Sequence, residues 1–120
     1  MSKFNLNIFL ILLFLFSACS KDIPELDYLK DQCEHCKMTL TDKKYGALIF
    51  TKKGKSIKFD ATECMLDYLK ENKVDGKEVD KYFVVNLNSP GKMINAESAQ
   101  YLANSSLQSP MGENISAFAV

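Results

Sequence analysis

Cys33-Glu34-His35-Cys36-Lys37-Met38 gathers two thiols, an imidazole and a thioether into six residues. In Cys-x-x-Cys the two sulfurs can converge on one ion across a tight turn. Met38, two residues beyond Cys36, reaches the same point if the segment runs on as a strand. Polarizable thiolate and thioether sulfur select soft ions such as Cu(I) over hard cations. Cu(I) is satisfied by two or three sulfur ligands, whereas a structural zinc site wants four. Cys33, Cys36 and Met38 are therefore the candidate ligands of this stretch, His35 serves equally well as a ligand or an exposed polar side chain, and Met111 offers a further thioether or only a loop anchor. Met111 is singled out because it stands on a turn between Pro110 and Gly112, where a methionine has little packing duty.

Other chemistries fit parts of this pattern. A thiol–disulfide couple of Cys33 and Cys36 is one, although such pairs usually sit where a strand feeds a helix, and Met38-Thr39-Leu40-Thr41 opens a helix poorly. A zinc site of Cys33, Cys36, Cys64 and His35 is another, and a purely structural disulfide or lipoprotein is a third. A c-type haem site needs His directly after the second Cys, and Lys37 stands there. No spacing supports a nucleophile with an orienting base, so the chain is expected not to be an enzyme.

The leader tells where this chemistry takes place. Lys3, an apolar run from Ile8 to Phe16, and Phe16-Ser17-Ala18-Cys19 have the layout of a signal peptide over residues 1–18. The run is about half the 18 to 20 residues a membrane span needs. Its end resembles a lipobox, which makes Cys19 the expected lipidation site and places the protein in the cell envelope, anchored to a membrane. Ser20 after Cys19 favours the outer membrane. Residues 19–32 are polar enough to read as a lipidated tether, and residues 33–120 as one metal-binding domain.

The charges balance at 15 of each sign, and removal of Lys3 with the leader leaves 14 basic side chains against 15 acidic. No basic stripe is present to hold nucleic acid. Of the four cysteines, three remain once Cys19 is acylated. An odd count in an oxidising compartment leaves at least one thiol without a disulfide role.

The elements that must hold the sulfurs are a hairpin over 46–59 turning at Gly54 and a helix from Ala61 to about Asn72. Asp60 is expected as its cap. Ala61, Cys64, Met65, Tyr68 and Leu69 share one apolar helix face, so Cys64 and Met65 read as packing residues. A second hairpin joins Tyr82–Leu87 to Lys92–Ile94 through Ser89-Pro90-Gly91. Asn95 is expected to cap a second helix to about Ala103, with a last strand near 115–119. The fold class is α+β, with small antiparallel sheets each covered by a helix in two related ββα units.

In order, the lipobox, Cys33-x-x-Cys36-x-Met38, Phe59-Asp60 before Cys64-Met65, Tyr82-Phe83-Val84-Val85, Ile94-Asn95-Ala96 and Ser109-Pro110-Met111-Gly112 before Ala117-Phe118 resemble the NosL family. These are copper-chaperone lipoproteins associated with maturation of nitrous oxide reductase. The resemblance implies a carrier of Cu(I), built from two related ββαβ units, that hands copper to an apo-enzyme of the envelope such as nitrous oxide reductase; a monomer is expected. It carries over Cys36, Met38 and Met111 as sulfur ligands and ranks Cys33 below them. Two departures stand out: Lys37 where the family usually has Gly, and a second unit that ends at Val120, short of a further helix and strand.

Overall fold

The computed structural model describes residues 23–103 and 106–120. The leader, Cys19 and the first part of the tether lie outside the described residues.

The first hairpin forms where alternation places it. β1 (Ala47–Thr51) and β2 (Ser56–Phe59) pair antiparallel in a register that sets Ala47 opposite Phe59 and Ile49 opposite Ile57. Gly54 takes φ +86° in the connection, a conformation that costs glycine nothing. β3 (Val79–Val85) pairs with β1, and β4 (Met93–Asn95) pairs with β3. The two hairpins thus merge into one antiparallel sheet of order β2-β1-β3-β4. β1 is central, which is why Ala47, Leu48 and Ile49 are all fully buried.

The helix α1 (Thr62–Lys70) lies over β1 and β2. Tyr68 meets Phe59 edge to face with ring centroids 5.2 Å apart, a geometry that adds about 1 kcal/mol to the area buried. Asn72 then takes φ +53°, the left-handed turn that commonly closes a helix. Asp60 does not cap this helix. Ala61 occupies the cap position, no side chain bonds there, and the Asp60 carboxylate turns inward to accept from the Thr41 N–H.

The expected second helix is absent among the described residues. Asn95 Oδ1 does accept from the Glu97 N–H at 2.9 Å, the bond a helix cap would make. The chain then turns and runs out as β5 (Gln100–Leu102), which pairs with β6 (Ser116–Phe118). The Leu87 N–H donates to the Ala117 carbonyl at 2.9 Å and ties this small sheet to the end of β3. The class is α+β as expected, with the helix on the larger sheet.

Residues 26–32, polar enough to read as tether, lie on the folded body. Leu26 is only 8% exposed and joins the core. A Cβ added at Gly46 would come 2.3 Å from Leu26 Cδ1, 3.0 Å from the Tyr28 hydroxyl and 3.4 Å from Val85 Cγ2. Gly46 is followed by Ala47, which shares the α1 face with Phe59, so Leu26 and Tyr28 cover the opposite face. The sheet is held between the helix on one side and the incoming segment on the other. Gly46→Ala is therefore expected to displace that segment and lower stability by about 1–3 kcal/mol, as overpacking does. Denaturant unfolding checks the loss, and faster amide exchange at Leu29 and Leu40 locates it.

Candidate metal centre

Backbone pairing shapes the loop that carries the first two thiols. The Leu29 N–H donates to the Leu40 carbonyl, the Leu40 N–H to the Asp31 carbonyl, and the Cys33 N–H to the Met38 carbonyl, all at 2.8–2.9 Å. Fully buried Leu40 anchors the returning arm. At the tip, the Lys37 N–H closes a helical turn onto the Cys33 carbonyl at 2.9 Å. Such a turn brings residues three apart to one side.

The loop is fixed to the edge of β2. The Glu34 N–H donates to the Lys58 carbonyl at 2.8 Å, and Lys58 Nζ donates to Asp31 Oδ2 at 2.6 Å with both side chains half-buried. This docking carries Cys33 and Cys36 to the N-terminal turn of α1, where Cys64 projects from the buried helix face. The Sγ atoms of Cys33, Cys36 and Cys64 all lie within 4.8 Å of one another. All three are free thiols, Cys33 and Cys64 buried and Cys36 half-buried.

Hydrogen bonds divide the labour among them. The Cys33 sulfur accepts from the Cys64 thiol and from the backbone N–H groups of Cys36, Asp60 and His35, the Cys36 contact measuring 3.5 Å. Those donors, the Cys64 thiol first, hold Cys33 well below the ordinary thiol range despite its burial. Cys64, as the donor and itself buried, is pushed up. Burial raises Cys36 as well, partly offset by the Met38 N–H on its sulfur. Asp60, 3% exposed and beside Cys33, is raised by burial first and by that sulfur second.

Cys33 and Cys36 come together as their spacing predicts, and Cys64, assigned to packing in the sequence, completes the cluster. Its helix-face position carried the signal that it is buried. Nothing local shows that a pair of thiols 28 or more residues upstream faces it. Met38 lends backbone to the site, through its carbonyl and N–H, while its side chain is 60% exposed. Met111 is 42% exposed on the turn before β6. His35 faces α1, with Nε2 3.9 Å from Asp67 Oδ2. A roomier groove of about 460 Å³ lies between α1 and β5, lined by Leu66, Leu69, Tyr82 and Tyr101, and holds none of the three thiols.

Lys37 shows why its position favours glycine. It sits at φ +63°, where a side chain costs about 1–2 kcal/mol. Its ion pair to Glu34, 3.4 Å and mostly exposed, returns little.

A small α+β body that clusters three soft ligands at a helix start defines a soft-metal or thiol-chemistry protein. The sequence model of the NosL family matches residues 28–120, and the chain belongs to that family. The fold is also similar to the crystal structure of the copper chaperone NosL from Shewanella denitrificans, at 24% identity and a TM-score of 0.68, over 83% of this chain and 80% of that one. None of the curated proteins matches the sequence.

Two outcomes follow from this geometry. Metal-free, reduced protein is expected to show ultraviolet thiolate absorption from one sulfur at neutral pH. A depressed thiol is ionised above its own value, so the signal should vanish as pH falls through about 4. Cys64→Ala, which removes the leading donor, should move that midpoint upward. Lys37→Gly is expected to raise stability by about 0.5–1 kcal/mol, the relieved strain less the entropy of glycine, read as a higher denaturant midpoint.

Proposed function

We propose that this protein is a copper(I) chaperone that carries its cargo on sulfur and passes it to a copper enzyme of the cell envelope. The observation that carries the reading is the convergence of three free thiols within 4.8 Å. Family membership and the fold shared with a copper chaperone support it.

The ligand set we favour is Cys33, Cys36 and Cys64, with Met38 at the mouth as the thioether that meets an incoming partner. Three sulfurs complete Cu(I) but leave zinc one ligand short. Among the described residues the fully buried ionisable side chains near the thiols are acidic, Asp60 and Glu63, and no lysine is buried. Such a site disfavours anions and gains from a cation, because charges in a low-dielectric interior are weakly screened.

Transfer by ligand exchange suits the exposure of the sulfurs. Cys36 is the half-buried thiol, so a partner's sulfur or imidazole reaches copper there first, while Cys33 and Cys64 hold it from inside. Met38 and Met111 offer further thioether at the surface. The lipobox supports a lipid anchor at Cys19, with the domain facing the periplasm and the outer membrane favoured. The acceptor we favour is nitrous oxide reductase, on the strength of the family.

Anaerobic Cu(I) titration of the reduced protein against a competing chelator should give one tightly held ion per chain, with Zn(II) bound far more weakly. Replacement of Cys33, Cys36 or Cys64 by Ser is each expected to weaken binding tenfold or more, at least about 1.4 kcal/mol. Unchanged affinity in Cys36→Ser would overturn the proposal, and unchanged affinity in Cys64→Ser would remove that residue from the ligand set.

A further inference from the structure

Three reduced sulfurs in contact are also poised for a different reaction, which needs no metal. Cys33 and Cys36 occupy the ends of one hydrogen-bonded turn, closed by the Lys37 N–H on the Cys33 carbonyl. The Cys33 sulfur already reaches the backbone of Cys36 at 3.5 Å. Their sulfurs lie within 4.8 Å, and rotation about the side-chain bonds can bring them to the roughly 2 Å of a disulfide. Access is unequal: Cys33 is fully buried and Cys36 half-buried. Only Cys36 can meet an external reagent first.

The chain neighbours of Cys36, His35 and Lys37, line a polar cleft of about 380 Å³ with Glu34, Tyr68, Glu71 and Lys73. Carboxylates and ammonium groups stand on the same walls. That mixture matches a small zwitterionic, peptide-like molecule better than an extended anion or an apolar surface.

We propose that Cys36 and Cys33 form a two-electron couple that exchanges with small peptide disulfides, Cys36 attacking and Cys33 resolving. In the first step the Cys36 sulfur gives its proton to solvent and bonds to one sulfur of the external disulfide. The external S–S bond breaks and one thiol leaves after taking a proton from water. In the second step the Cys33 thiolate attacks the Cys36 sulfur, the mixed bond breaks, and the second external sulfur leaves as a thiolate that takes a proton from water. Two protein thiols are oxidised and one external disulfide is reduced to two thiols. Cys64 stays a thiol throughout. The order reverses the usual Cys-x-x-Cys arrangement, in which the first cysteine is the exposed one.

The couple uses sulfurs of the proposed copper site, and it rests on their geometry whether or not that ion is the cargo. Its product has a single thiol left where three stood. A disulfide at Cys33 and Cys36 thereby closes the site to metal.

Reduced, metal-free protein treated with oxidised glutathione, then alkylated and mapped by mass spectrometry, tests this. The expected product is a Cys33–Cys36 bond with Cys64 alkylated and Cu(I) binding lost, both reversed by a dithiol. Cys33→Ser should instead accumulate a glutathione adduct on Cys36, and Cys36→Ser should leave Cys33 and Cys64 unreacted. A stable adduct on Cys36 of the unaltered protein, a bond to Cys64, or three thiols left reduced would each overturn the couple, whatever the Cu(I) titration gives. Exchange that proceeds as described in a protein without Cu(I) affinity would uphold the couple and sink the copper reading alone.

Discussion

A sulfur buried away from water must find its donors in the protein, and the arrangement around Cys33 follows from that requirement. Three backbone N–H groups and one thiol converge on it. Two of the N–H groups come from its own turn, one from the Asp60 position at the end of β2, and the thiol from α1. The four donors belong to three different stretches of chain. Satisfying one atom therefore fixes the loop, the strand end and the helix start relative to one another. A buried group stripped of such partners would cost about 1–3 kcal/mol, more if charged, so the loop and the helix stay joined before any ion arrives. Pre-arranged ligands of this kind lose little freedom on binding.

The same spot concentrates negative potential. Asp60 and Glu63 are both buried within a few residues of Cys64, each with one carboxylate oxygen lacking a hydrogen-bond partner among the described residues. Glu63 is held through its other oxygen by the Ser109 hydroxyl, and Ser109 in turn exchanges bonds with Asn114. The turn bearing Met111 is thus tied to the helix bearing Cys64. These acids reduce stability in isolation. A cation bound at the thiols, as proposed, would offset the cost and link folding to loading.

Much of this was legible in the chain. Alternation around Gly54 and around Ser89-Pro90-Gly91 located the strands of the larger sheet, and the apolar spacing from Ala61 to Leu69 located α1. What escaped was set by contacts far apart in sequence. Asn95 makes the bond expected of a helix cap, but the same bond closes an isolated turn, and pairing with β6 decides between them. Asp60 has the right type and place for a cap, yet its backbone N–H is taken by the Cys33 sulfur and its carboxylate by the Thr41 N–H, which draws it inward. Leu26 is one apolar residue in a polar stretch, and only the bare face of Gly46 shows where it goes. Cys64 read as packing, and it is buried, but its helix-face position did not show which side chains meet it there. The cysteine spacing identified the loop, while its third partner could be found only in three dimensions.

The docking of the loop on β2 has another result. β2 is an outer strand of the sheet, and an outer strand with free backbone groups is a template on which a second molecule can build. Here the Glu34 N–H occupies the Lys58 carbonyl, and the Lys58–Asp31 ion pair clasps the same place. The segment that carries the sulfurs therefore also guards the sheet against self-association. The proposed carrier would have to open its sulfurs to a partner, and in this fold opening them too far would bare an adhesive edge. A handover of the proposed kind, confined to the Cys36 side, would avoid that hazard.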